Sequence, residues 1–310
     1  LFSLGRMVAS NTGDIHVLAS VFDAETKLFS TKIEDKELVM ISWLYDEEND
    51  PHIYKLTFED KKVSELSFRI DSDGNIVGGG FYTDRERGTG YKGVLFFALD
   101  PYKQQVIKEG FKPFGPEELS EFLSSKQISK NKEIEQFDLR NLVVREDGSL
   151  VMVAEKYYVV VHETRDAQGR VSRTYTYYYL DLLIVDVDPN LQIKWMKALP
   201  KRQVTNNDNG YYSSVALLVG PENIFILFND NPENAGIVDK GEKMKNFNGK
   251  KSVVAMITVD DSGHAKKETV LQNKTAGIIL VPKVCEQVNE NTLFIYGQLK
   301  NLYRIGTITF

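Results

Sequence analysis

Short apolar runs rich in Val, Ile, Leu, Phe and Tyr recur along the chain, separated by polar clusters of Asp, Asn, Gly and Ser. Such runs predict β-strands joined by tight turns. One unit repeats: an apolar strand, a polar turn and a second apolar strand. It occurs at Arg6–Ser10, Asn11–Asp14 and Ile15–Phe22, and again at Leu66–Ile70, Asp71–Asn75 and Ile76–Tyr82. Further copies are Leu139–Val144, Arg145–Ser149 and Leu150–Val153, then Val215–Val219, Gly220–Asn223 and Ile224–Phe228. The fifth is Ile279–Val284, Asn289–Asn291 and Thr292–Tyr296. Most copies lead to a second hairpin. Gly93–Leu99 runs into Asp100-Pro101, Leu182–Val187 into Asp188-Pro189-Asn190 and Gln192–Leu199, and Ser252–Val259 into Asp260–Gly263 and Ala265–Val270. Asp-Gly and Asn-Gly-like turns supply the positive φ that two-residue hairpins need, and a proline after Asp presets the first turn position.

Each copy thus predicts a four-stranded antiparallel meander, recurring about every 60–75 residues. Strands apolar on both faces must be covered on both sides. Sheets stacked radially achieve this, so the fold expected is an all-β propeller with about five recognisable blades. Their approximate limits are 4–60, 63–114, 137–200, 211–272 and 277–310, with a helical insertion at 115–136. A pair of β-sandwiches, or another all-β stack, is the alternative. The last copy is one strand short, which fits either a truncated edge or closure by a strand from before the first unit. The five turn-centred hairpins, and the strand Leu191-Gln192-Ile193-Lys194-Trp195 after Asp188-Pro189-Asn190, resemble β-propeller proteins of secreted or periplasmic, Bacteroidota-like type. The resemblance covers nearly the whole chain, but its motifs are generic, and no family's active site carries over. It implies a periplasmic or cell-surface location, with a signal peptide or lipid anchor removed or outside the chain.

Composition narrows the chemistry. The 310 residues carry a net charge of −6, which disfavours nucleic acid and anionic lipid as partners. One cysteine, Cys285, excludes an internal disulfide, and no apolar run is long enough to span a membrane as a helix. His16, His52, His162 and His264 are too scattered to suggest a zinc site. Asp71–Asn75 resembles the start of a calcium loop, but its glycine is misplaced, so a hairpin turn is expected. Gly78-Gly79-Gly80 precedes Phe81 and Tyr82 without a following helix, so it predicts close backbone approach rather than a phosphate loop. Asp84, Glu155, Asp208 and Asp230 fall at strand ends or loops with nothing to single them out as catalytic. Arg85 and Arg87 lie in a hairpin tip of mixed charge that could bind a carboxylate. No catalytic residue, metal or cofactor is therefore assigned.

Function is expected in departures from the repeat. Gly115–Leu123 predicts a short amphipathic helix acting as a lid, and Asn229–Lys250 a polar mobile loop that Phe247 could pin. Val151–Thr164 and Val171–Val187 predict a hairpin long enough to project past its blade. It carries Tyr157, Tyr158, Tyr175, Tyr177, Tyr178 and Tyr179, with Tyr211 and Tyr212 following. Tyrosine suits interfaces because it offers amphipathic area at small entropy cost. Tyr175, Tyr177 and Tyr179 share one strand face by period-2 spacing. These eight residues are the expected partner-binding site, the alternative being that the rings pack across the hairpin and against its neighbours. The expected role is a non-enzymatic, protein-binding propeller serving an extracytoplasmic, outer-membrane-associated assembly. The alternative is a carbohydrate-binding or glycan-processing propeller, with aromatic rings stacking on sugars.

Overall fold

The computed structural model describes residues 2–22, 36–45, 50–58, 61–84, 90–239 and 241–310. They form antiparallel sheets. The first runs in the order β1 (Phe2–Ala9), β2 (Ile15–Phe22), β3 (Lys36–Trp43) and β4 (His52–Leu56). The second contains β5 (Lys62–Ile70) and β6 (Ile76–Thr83). After the short β7 (Gly90–Tyr91) it continues with β8 (Gly93–Asp100) and β9 (Gln105–Pro113). Helices α1 (Pro116–Ser120) and α2 (Ser125–Ile128) follow, then β10 (Ile134–Glu135), which pairs with β7. The third sheet runs β11 (Phe137–Val144), β12 (Leu150–Arg165), β13 (Val171–Val187) and β14 (Ile193–Leu199), with β15 (Gln203–Asn206) also paired to β13. The fourth is β16 (Ala216–Val219), β17 (Asn223–Asp230), β18 (Val253–Asp260) and β19 (Ala265–Gln272). After α3 (Asn273–Ala276) come β20 (Ile279–Leu280), β21 (Glu286–Asn289), β22 (Thr292–Leu299) and β23 (Leu302–Thr309).

The chain divides into two compact units. The first is Leu1–Glu135, Leu139–Val153 and Val185–Lys194, and the second is Gln136–Asp138, Ala154–Ile184 and Trp195–Phe310. The first unit has a core of Leu18, Met40, Phe68, Ile76, Leu95 and Phe97. The second has one of Leu218, Leu227, Val254, Met256, Leu280 and Leu293. Each such side chain contributes roughly 1.5–3 kcal/mol on burial.

The connecting turns are longer than the two-residue type expected. In the loop after β5, Asp71 N–H donates to the Asn75 carbonyl (3.0 Å) and Gly74 N–H to the Asp71 carbonyl (3.2 Å). The same pattern recurs at Ser10–Asp14, Arg145–Ser149, Asp166–Arg170, Asp188–Gln192 and Asp260–His264. Asp71 Oδ1 accepts from the N–H groups of Asp73 (2.9 Å) and Asn75 (2.8 Å), so the leading aspartate fastens its own turn. Asp71–Asn75 is thus a hairpin turn, as its misplaced glycine implies.

Three other expectations change. In the fifth copy, the inner lane is broken. β20 and β21 both pair with β22, and a 3-10 turn at Pro282–Val284 separates them. Segment 229–250 is not a loose loop at its start, because Asn229, Asp230, Asn231 and Asn234 are buried and hydrogen-bonded. Phe247 is buried and its N–H donates to the Arg202 carbonyl (3.1 Å), so it does pin the segment. Helix α1 begins at Pro116 as expected, but neither α1 nor α2 buries a residue fully.

Burial and hydrogen bonding also create a pH dependence in the first unit. Burial opposes the charge of Asp14, but hydrogen bonds from Tyr45 N–H (2.8 Å), Thr12 Oγ1 (2.7 Å), Tyr102 OH (2.9 Å) and Ser10 Oγ outweigh it, holding its carboxyl below the usual range. His16 is fully buried beside Ser42 Oγ (2.8 Å), and burial lowers its pKa despite the opposing charge of Asp14. In both cases the folded state binds protons less readily than the unfolded one, so acid destabilises it. Stability is expected to fall as pH drops below about 6.5, and further below about 3.9. Denaturant midpoints measured against pH should lose the first step in His16→Gln, and the second should shrink in Asp14→Asn, with Asp84, Asp100 and Asp147, whose carboxyls are also held low, supplying the rest.

Candidate functional site

Side chains alternate along a strand, so β13 puts Tyr175, Tyr177 and Tyr179 on one face and Tyr178 on the other. Tyr157 of β12 meets Tyr179, with ring centroids 4.6 Å apart. Tyr158 stacks on Tyr178 at 4.5 Å, with planes 14° apart. The hairpin tyrosines therefore divide between two faces. They also sit at its root, where β15 pairs with Thr176–Tyr179. The exposed tip is polar, with ion pairs Arg165–Glu163 (3.6 Å), Arg173–Glu163 (3.1 Å) and Arg170–Asp166 (2.6 Å).

The first face is completed by the turn 207–210 of the second unit. Asn207 and Asn209 adopt φ of 53° and 54°, a region asparagine tolerates better than most residues. Asp208 Oδ1 fixes the turn by accepting from Thr205 Oγ1 (2.6 Å) and Gly210 N–H (2.8 Å). Gly210 has φ of 58°, and a Cβ there would lie 2.2 Å from the Tyr179 ring. Only glycine lets the turn sit on that ring. Tyr177 OH then donates to Asn209 Oδ1 (2.6 Å), and Tyr175 N–H to Asn207 Oδ1 (2.9 Å).

Lys283 and Gln298 join from the last sheet region. Lys283 Nζ donates to Tyr179 OH (2.8 Å) and to the carbonyls of Gly210 (2.8 Å) and Asn209 (3.2 Å). It stands 4.6 Å from the Tyr179 ring centroid, a cation–π distance. Tyr211 OH (2.5 Å) and Tyr296 OH (3.1 Å) both donate to Gln298 Oε1. Tyr211 meets Tyr212 edge-on at 5.0 Å. Burial, then neighbouring tyrosines, raise the pKa of Tyr212 and Tyr296, keeping both phenols protonated. Tyr211 remains 41% exposed and Tyr175 38%, so ring surface is open to solvent. The result is a rigid face of aromatic rings rimmed by amides, hydroxyls and one ammonium. It can stack on an apolar ring face and hydrogen-bond to hydroxyls around it.

Two buried ion pairs lie in the same unit. Lys201 Nζ meets Glu155 Oε1 at 2.6 Å, with side-chain exposures of 1% and 0%. It also donates to Gln203 Oε1 (2.8 Å) and the Tyr179 carbonyl (3.2 Å), while Ser214 Oγ donates to Glu155 Oε2 (2.7 Å). Gln203 Nε2 continues to the Asn229 carbonyl (2.8 Å). The next residue, Asp230, pairs with Lys267 Nζ at 2.5 Å. Sequence reasoning left Glu155 and Asp230 among unremarkable acids. Glu155 had a signal, since it ends the unbroken apolar run Leu150–Ala154.

Other expected residues lie elsewhere. Asp84 is ion-paired with Lys61 (2.8 Å) and with Lys92. Asp208 serves the turn described above, and Arg85 and Arg87 lie outside the described residues. Among the described residues, no group of three or more His, Cys, Asp or Glu could hold a metal ion.

No family model matches the chain, and no curated protein does. Solved structures do resemble it. The polysaccharide lyase Uly1 has 12% identity and a TM-score of 0.46 over 98% of this chain and 57% of its own. Pyrococcus horikoshii acylaminoacyl peptidase has 9% identity and a TM-score of 0.49 over 100% and 38%. A GH43 β-1,3-galactosidase has 11% identity and a TM-score of 0.32 over 94% and 52%. The chain thus spans less than two thirds of each. The expected non-enzymatic, protein-binding role is corrected here. Among the similar solved structures are a polysaccharide lyase and a galactosidase. The tyrosines of the hairpin lie at its root beside β15, and Tyr157 and Tyr158 pack on Tyr179 and Tyr178 across it.

Proposed function

We propose that this chain is a β-propeller that binds or processes glycans, engaging them through the tyrosine face of its second unit. The repeated four-stranded antiparallel sheets support the propeller reading. The observation that carries the glycan reading is the grouping of Tyr177, Tyr211 and Tyr296 with Asn209 and Gln298. Sugar rings present apolar C–H faces edged by hydroxyls. A preorganised aromatic face with amide neighbours matches both features while losing little side-chain entropy on binding.

Affinity electrophoresis through a panel of neutral and acidic polysaccharides tests this. At least one polysaccharide should retard the protein. Tyr211→Ala should weaken that binding about tenfold, or about 1.4 kcal/mol. Tyr158→Ala, on the opposite face, should leave it unchanged. Reducing ends released without ultraviolet absorbance would indicate hydrolysis, and reducing ends released together with ultraviolet-absorbing unsaturated sugars elimination. A protein retarded by no polysaccharide would remove the reading.

A further inference from the structure

In the first unit, the leading strands of three successive sheets bring two guanidinium groups together. Arg6 of β1 donates from Nη1 to Ser67 Oγ of β5 (3.1 Å). Arg69 lies two residues beyond Ser67, on the same side of that strand. It donates from Nη2 to Asn141 Oδ1 of β11 (2.7 Å) and from Nη1 to the Phe68 carbonyl (3.1 Å). Ser67 is buried and both arginines are partly so.

Every partner in that set is neutral. Among the described residues no carboxylate lies within ion-pair distance of either guanidinium. Each guanidinium carries five N–H donors. Arg6 uses one of them here and Arg69 two, so most still point to no protein acceptor among the described residues. Arg145 in the same unit is treated differently, since its Nη2 meets the buried Asp186 carboxylate at 2.9 Å. Withdrawing two like charges from water without a counter-charge is costly. The cost registers on Arg69, where burial and then the neighbouring Arg6 lower the pKa to about 10. Burial lowers that of Arg6 as well. An arrangement with spare donors and mutual repulsion is relieved by an anion with planar or tetrahedral oxygens, which guanidinium forks grip in pairs.

We infer that Arg6 and Arg69, supported by Ser67 and Asn141, form an oxyanion site that takes the carboxylate or sulfate ester of an acidic saccharide. The saccharide source rests on the glycan reading above, whereas the anion site itself does not. Acidic sugars offer both chemistries, and the two are separable by experiment.

Isothermal titration of the full chain with glucuronate, glucose 6-sulfate, inorganic sulfate and glucose, at constant ionic strength, is the test. Glucuronate or glucose 6-sulfate should bind and glucose should not bind at this site. The preferred sugar identifies carboxylate or sulfate as the natural group. Arg6→Met should weaken that binding at least tenfold. It should also leave the thermal midpoint unchanged or raised, because it removes repulsion at the expense of one hydrogen bond. Arg69→Lys, which keeps charge but loses the fork, should weaken binding too, and it covers the case in which Arg6→Met fails to fold. Binding unaffected by both substitutions, or no binding of either acidic sugar, would overturn the inference. Uptake of inorganic sulfate alone would overturn the saccharide assignment. Acidic monosaccharides that bind here while no polysaccharide retards the protein would fail the glycan reading and leave the anion site standing.

Discussion

Lys201→Met is expected to destabilise the second unit by about 3–5 kcal/mol, the usual cost of leaving one member of a buried ion pair without its partner. The ammonium neutralises Glu155 and also holds Gln203 and the Tyr179 carbonyl. Methionine keeps most of the volume, so the loss is electrostatic rather than a cavity. Without Lys201, Glu155 loses its ammonium partner while the hydroxyl of Ser214 still donates to it. Adding Glu155→Gln should recover a substantial part of the loss, because the amide keeps a Ser214 contact and carries no charge. Urea unfolding of the wild type, the single and the double variant measures this. A single variant within about 1 kcal/mol of wild type would mean that Glu155 is not held as a buried carboxylate.

The second large effect is expected at Gly80. A Cβ there would lie 1.9 Å from the Glu65 carbonyl oxygen, an atom of the neighbouring backbone that cannot swing aside. The register of β5 against β6 already shifts between Val63 and Glu65 at this point. A bulge draws the two backbones together, and glycine is the residue that permits it. Gly80→Ala should cost about 3 kcal/mol, at the upper end for overpacking, because β6 is buried along its whole length. Gly148→Asn is the control. It has open space around the Cβ position and a positive φ that asparagine tolerates, so it should cost far less. Equal losses in the two variants would show that the close approach at Gly80 is not what requires glycine.

These two sites mark what could and could not be read along the chain. The Gly78-Gly79-Gly80 approach was legible because three glycines weaken a strand unless a neighbouring backbone or ring needs the space. The sheets were legible for a similar reason: apolar runs and Asp-led turns are local, and β1, β2, β5, β6, β17 and β18 fall where those signals place them. The fifth copy failed because Ile279–Val284 reads as one strand, while Pro282 breaks it and gives the pairing with β22 to Glu286–Asn289. Coverage on both faces was also too broad an expectation. Tyr303 and Ile305, on one face of β23, remain 66% and 68% exposed, so that face is not covered there.

The site was legible only by residue type. A concentration of tyrosines was visible, and strand alternation already puts Tyr175, Tyr177 and Tyr179 on one face, but the turn at Asn207–Gly210 that organises that face was not. That turn depends on contacts spanning Tyr177 to Asn209 and Tyr211 to Gln298, which no local pattern encodes. The buried pairs Glu155–Lys201 and Asp230–Lys267 escaped for the same reason, since each partner is distant in sequence and each charge alone looks like a surface residue. The long hairpin was legible too, but not what its tyrosine-bearing stretch pairs with. Here β15 pairs at the root and covers that stretch, and the tip is given to charged residues.

The most direct test of the glycan account is a two-dimensional NMR titration of ring-labelled tyrosine with an oligosaccharide from the polysaccharide that retards the protein most. The account predicts that ring signals of Tyr177, Tyr211 and Tyr296 move together and saturably, while those of Tyr158 and Tyr178 stay in place. Saturable shifts confined to Tyr158 and Tyr178, or no tyrosine shift at a saturating oligosaccharide concentration, would contradict it.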